Sequence, residues 1–144
     1  MSVYRPRVLL ADDHPENTKL LRSLLLQEFE VIGQVEDGHA LVSAAETLAP
    51  DVIVCDISMP GLDGITAAAM ILRRNPGARI VFVTVHGDAL VVQRGLATGA
   101  LGYVLKLVAG DELVPAVRAA LRGERHVRLL PGRTAPTRRT DDEG

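Results

Sequence analysis

A chain of 144 residues, 47% apolar and 24% charged, is sized for one domain with a substantial hydrophobic core. Its formal net charge of −2 argues against a basic nucleic-acid-binding surface over the chain as a whole, and its single cysteine, Cys55, excludes an internal disulfide. No apolar run approaches bilayer-spanning length, and the N-terminus MSVYRPRVLL lacks the apolar core of a signal peptide, so a cytoplasmic location is expected.

The first apolar run, Val8–Leu10, reads as a strand that leads into two adjacent carboxylates, Asp12 and Asp13, then His14 and Pro15. Two unit charges ~4 Å apart repel by roughly 4 kcal/mol at an effective dielectric near 20. Such a pair belongs in open solvent, or where a cation or a reaction uses it. Leu20, Leu21, Leu24 and Leu25 share one face of a first helix, and Val31–Val35 forms the next strand. Leu41, Ala44, Ala45 and Leu48 mark helix two. Pro50-Asp51 then opens a third strand, Val52–Cys55, which stops at Asp56. Asp63 is the expected N-cap of a helix carrying Ile65, Ala68, Ala69 and Leu72, and Asn75-Pro76-Gly77 separates it from strand four, Ile80–Val85.

Asp88 is placed to cap a fourth helix over Leu90–Ala97, which Thr98-Gly99 ends before strand five, Leu101–Leu105. Helix five has the clearest apolar face: Leu113, Ala116, Val117, Ala120 and Leu121. Pro115 puts its start near Asp111 or Glu112, or else kinks it. Strand and helix thus alternate five times, which predicts an α/β fold with a five-stranded parallel sheet covered by helices on both faces. After about Gly123 the periodic pattern stops. Residues 1–123 read as the domain, and 124–144, rich in Arg, Thr, Pro and Gly, as a flexible C-terminal tail or linker in which Arg138-Arg139 is solvated charge.

Ligands of open doubly wound sheets bind beyond the carboxyl ends of the strands, where the strand order reverses. The residues at those ends are polar: Asp12 and Asp13, Asp56, Thr84 and Lys106. With the order 2-1-3-4-5, three carboxylates meet in one crevice beside a hydroxyl and an ammonium. Clustered carboxylates with room for water suit Mg²⁺, which also relieves the repulsion between Asp12 and Asp13 and keeps Asp56 ionised and nucleophilic. Phosphoryl transfer requires such positioning and charge neutralisation.

These residues stand in the stretches "LLADDHP", "PDVIVCDISMPGLDG", "IVFVTVH" and "GALGYVLK". Over about Arg7 to Gly123 the chain resembles the receiver domain of bacterial two-component response regulators. With "GERHV" after helix five, it is most similar to the LuxR/NarL-type subfamily. The resemblance implies a flavodoxin-like (βα)5 fold of order 2-1-3-4-5, with Asp56 as phosphoacceptor. It implies Asp13 as a direct Mg²⁺ ligand, Asp12 assisting through water, and the Ser58 main-chain carbonyl as a further ligand. Thr84 and Lys106 would contact the phosphoryl group, and Tyr103 would be a switch ring that turns inward as Thr84 moves. The implied donor is a sensor histidine kinase or phosphotransfer protein. The implied chemistry is limited to the chain's own phosphorylation and dephosphorylation.

Two positions depart from many relatives: Val85 after Thr84, whose bulk is expected to narrow access to the site, and Leu107 after Lys106. Three other readings compete. One is a module that binds partners without phosphorylation, which the intact acidic triad and lysine oppose. Another is a phosphohydrolase, opposed by Ser58 where such enzymes carry a second acid. The last is a fragment of a LuxR-type DNA-binding regulator, since only about 20 residues follow helix five. No binding to nucleic acid or membrane is expected of this chain alone. A homodimer is expected to use helices one and five, or the face of helix four, strand five and helix five. The four histidines lack metal-binding spacing, and Cys55 reads as a core residue.

Overall fold

The computed structural model describes residues 4–130 and 133–134. Its strands are β1 (Arg7–Ala11), β2 (Glu30–Val35), β3 (Val52–Cys55), β4 (Ile80–Thr84), β5 (Gly102–Leu105), β6 (His126–Leu130) and β7 (Arg133–Thr134). The helices are α1 (Pro15–Leu25), α2 (Gly38–Leu48), α3 (Gly64–Arg74), α4 (Ala89–Ala97) and α5 (Ala109–Leu121), the last entered through a 3-10 turn over Lys106–Val108. The sheet order is β2-β1-β3-β4-β5-β6-β7. The first six strands run parallel, and the two-residue β7 is antiparallel to β6.

β3 and β4 are buried along their whole length, because helices cover both faces of the sheet. On one face α1 and α5 bury Leu21, Leu25, Leu113, Ala116, Val117 and Ala120 against Val8, Leu10, Val54 and Val83. On the other, α2, α3 and α4 bury Leu41, Ala67, Ala68, Ile71 and Val92 against Leu9, Ile53 and Phe82. The Asp63 and Asp88 side chains cap α3 and α4 by accepting from Thr66 N–H and Val91 N–H, and Asp37 does the same for α2 through Ala40 N–H.

The structure corrects the expectation in two places. The sheet has six parallel strands, because His126–Leu130, assigned to the tail from sequence, adds alongside β5. Its Val127 is 8% exposed, so the stretch carries enough apolar surface to serve as a half-buried strand between β5 and β7. Residues 131–132 and 135–144, with Arg138-Arg139, lie outside the described residues. Helix five begins at Ala109 and holds Pro115 in its interior, because the turn at Lys106–Val108 feeds straight into it. Pro115 removes one N–H from the helix ladder but leaves the buried stripe from Leu113 to Ala120 in register.

Two glycines fix the loop that follows β3. A Cβ on Gly64 would stand 1.9 Å from the Asp56 carbonyl oxygen, and one on Gly38 would stand 2.1 Å from that of Leu62. No other residue fits either position without moving backbone.

Candidate functional site

The carboxyl ends of β1, β3 and β5 deliver their polar residues to one crevice. The Lys106 ammonium lies 2.9 Å from Asp56 Oδ2 and 2.9 Å from Asp12 Oδ2, joining residues that follow the neighbouring strands β1 and β3. All three side chains are largely withdrawn from solvent, with exposures of 14%, 4% and 0%. Asp56 Oδ1 accepts the N–H of Ile57 at 2.7 Å and that of Ser58 at 3.4 Å, while Asp12 Oδ1 accepts the His14 N–H at 2.9 Å. The ammonium therefore supplies, within the protein, part of the neutralisation that the adjacent aspartates require. Burial alone would lower the Lys106 pKa, but its contacts with Asp56 and Asp12 outweigh this and hold it above the usual lysine value.

Among the described residues, two buried oxygens of this crevice accept no hydrogen bond: Asp12 Oδ2, which has the Lys106 ammonium 2.9 Å away as an ion pair, and Asp13 Oδ1. His14 Nδ1 stands 3.0 Å from Asp13 Oδ1. Ligand atoms of Asp12, Asp13, His14 and Asp56 all lie within 4.8 Å of one another. Three carboxylates with an unsatisfied oxygen among them make a donor set for a hard divalent cation. The imidazole of His14 is a softer neighbour that such an ion does not need.

Thr84 and Tyr103 occupy a second arm of the site, built around the main chain of His86. Thr84 is fully buried, and its Oγ1 accepts the His86 N–H at 3.3 Å. Among the described residues its hydroxyl makes no hydrogen bond to the acidic crevice. The Tyr103 ring is turned inward and fully buried, packed edge-on against Phe82 with centroids 6.1 Å apart. Its hydroxyl donates to the His86 carbonyl at 2.6 Å. Burial, then the charges of Asp88 and Asp56, push the phenol pKa up, so it stays a neutral donor. The slot for the ring depends on Gly95 in α4, where a Cβ would stand 3.0 Å from Tyr103 Cε2.

All the residues singled out from sequence fall in these two groups, Ser58 bridging them through a 2.6 Å contact between its Oγ and His86 Nε2. That contact and the use of His86 main-chain atoms escape the sequence reading; only the position of His86, two residues after Thr84, hinted at them. Val85 is 70% exposed, so its bulk stands at the rim in solvent and does not fill the crevice. Cys55 is buried beside Asp56, and burial first, then the Asp56 charge, raise its pKa well above normal, leaving an inert thiol.

A parallel α/β sheet with an acidic crevice and a lysine at its carboxyl edge defines the receiver class of signalling domains. Residues 8–118 match the family model of the response regulator receiver domain, and the chain belongs to that family. It is 39% identical over 120 residues to the transcriptional regulatory protein YxjL of Bacillus subtilis, covering 82% of this chain and 55% of that protein. A LuxR-family two-component response regulator from Aurantimonas superposes with a TM-score of 0.82 at 31% identity, over 86% of this chain and 90% of that one. The CheX–CheY complex with beryllofluoride and Mg²⁺ from Borrelia burgdorferi matches with a TM-score of 0.75 at 26% identity, over 78% of this chain and 87% of that one. The chain is thus related to LuxR/NarL-type regulators and spans about half the length of the curated relatives it matches.

Proposed function

We propose that this chain is a phosphorylation switch whose acceptor is Asp56. The observation that carries this reading is the convergence of Asp12, Asp13, Asp56 and Lys106 in one crevice with an unsatisfied carboxylate oxygen. Asp56 is held ready by two backbone N–H groups and the lysine, so little reorganisation precedes attack. An oxygen of its carboxylate forms a P–O bond as the P–N bond to a donor phosphohistidine breaks, and the imidazole leaves with the electron pair and takes up a proton. The product is an acyl phosphate. Attack by water later returns the carboxylate and inorganic phosphate.

Mg²⁺, held by Asp13 and Asp56 with Asp12 assisting through water and the Ser58 main-chain carbonyl as a further ligand, would neutralise charge on the phosphoryl oxygens. The Borrelia CheY complex, which carries Mg²⁺ and beryllofluoride, supports this assignment. Lys106 exchanges its contact with Asp56 Oδ2 for a phosphoryl oxygen, and the Thr84 hydroxyl leaves the His86 N–H for another. That movement pulls the loop which also holds Tyr103, and the two arrangements of α4 and β5 shift in population.

The donor is a sensor histidine kinase or phosphotransfer protein. Val85 and Leu107, which directly follow Thr84 and Lys106, are 70% and 78% exposed and offer apolar contacts beside the crevice for such a partner. No helix of the described residues is long and apolar enough to cross a membrane. Turnover is limited to the chain's own phosphorylation and dephosphorylation. In a longer protein like the relatives, the switch would govern transcription. With a ³²P-labelled phosphohistidine donor and Mg²⁺, Asp56→Asn is expected to lower incorporation at least 100-fold, and chelating the metal to do nearly the same. Label uptake by Asp56→Asn at the wild-type level would refute the assignment.

A further inference from the structure

β6 is fastened on both of its faces. It pairs in parallel with β5, Tyr103 opposite Val127 and Val104 opposite Arg128. Because side chains alternate along a strand, Val127 and Leu129 face the α4 side, where they pack into the apolar cluster that contains Tyr103, Phe82 and Val92. His126 and Arg128 face α5, where Glu112 Oε1 lies 3.0 Å from His126 Nε2 and 3.4 Å from Arg128 Nε. One carboxylate therefore pins the polar face of the strand, and the cluster around the switch ring pins the apolar face.

We propose that β6 is a latch strand that carries the state of Tyr103 to the chain beyond Leu130. The inward ring completes the cluster on which Val127 rests, so the docked strand and the inward ring support one another. When the ring leaves its slot, Val127 loses part of its packing, and β6 depends more heavily on Glu112, Leu129 and its ladder bonds. This inference rests on the phosphoryl reading of the crevice: the ring is already inward here while Thr84 still bonds the His86 N–H, and capture of Thr84 raises the share of molecules in this docked arrangement. The coupling is reciprocal: whatever loosens β6 weakens the phosphorylated arrangement by the same factor.

Hydrogen exchange resolved by NMR on the full chain tests it, with Mg²⁺ alone and with Mg²⁺ plus beryllofluoride as the phosphoryl mimic. Beryllofluoride is expected to slow exchange of the residue 126–129 amides about 5-fold or more. Glu112→Ala is expected to speed it about 10-fold and to weaken beryllofluoride binding measurably, with the amides of β1 and β3 unchanged. Tyr103→Leu, which empties the slot, should speed exchange in β6 in the same way. If resonances around Asp56 and Thr84 move while exchange in β6 does not, the crevice reading stands and the latch is refuted. If no resonance moves, the crevice reading fails and the coupling fails with it.

Discussion

The crevice of Asp12, Asp13, Asp56 and Lys106 and the arm of Thr84, His86 and Tyr103 share one edge of the sheet, yet different forces hold them. In the crevice, buried carboxylates are balanced by a single ammonium, so each charge is expensive to leave alone. In the arm, neutral groups bond to the main chain of one loop, and a ring fills a slot left by a glycine. Bonds of that kind contribute about 1 kcal/mol each, small enough to be exchanged for others. The contrast separates two kinds of site: the crevice is held by balanced charge, and the arm by neutral bonds weak enough to be exchanged.

Removing the ammonium should produce the largest effect. Lys106→Met leaves Asp12 and Asp56 as buried like charges, and the expected loss of stability is about 3–5 kcal/mol, read as a lower urea midpoint. Millimolar Mg²⁺ should restore part of it. A midpoint equal to that of the wild type, with or without Mg²⁺, would break the contrast at its charged end.

The next perturbation acts on the arm. Tyr103→Phe deletes the bond to the His86 carbonyl and should cost about 1 kcal/mol in urea unfolding, with label uptake at Asp56 retained. The two regions should also part at high pH. Lys106 and Tyr103 both have folded pKa values above their ordinary values of 10.5 and 10.0. Their contribution is therefore complete below about pH 10 and is lost as pH rises through the folded values. Unfolding free energy should fall above about pH 10, and Tyr103→Phe should flatten part of that fall while leaving the part due to Lys106. An identical alkaline profile for wild type and variant would show that the ring does not contribute.

The smallest expected change sharpens the comparison most. Gly95→Ala gains roughly 1 kcal/mol of helix propensity in α4 but sets a methyl 3.0 Å from the Tyr103 ring. Net stability should move by less than about 1 kcal/mol, while the ring resonances of Tyr103 shift in the NMR spectrum. Unmoved ring resonances would mean that the slot is not what seats the ring.

What could be read in advance follows the same division. The crevice was legible because each of its side chains directly follows a buried apolar run, and because Asp63 and Asp88 announce the helices between. The arm was legible only in part: Thr84 and Tyr103 were singled out, but the groups they bond are the N–H and C=O of His86, which no side-chain pattern encodes. β6 is hard to see in the sequence because its Arg and His, with Pro and Gly following, resemble a solvated tail. The alternation His-Val-Arg-Leu over 126–129 is nonetheless the period-2 signature of a half-buried strand. Helix five began early for a related reason, since Pro115 is tolerated inside a helix whose buried stripe is otherwise unbroken.

The two glycines around residues 57–63 have a practical consequence. With Gly64 pressed on the Asp56 carbonyl and Gly38 on that of Leu62, the loop after Asp56 is bolted to the starts of both α2 and α3. Anyone wishing to transplant it into another scaffold would have to carry all three pieces as one cassette. An insertion anywhere in that stretch would misplace Asp56 before it unsettled the rest of the sheet.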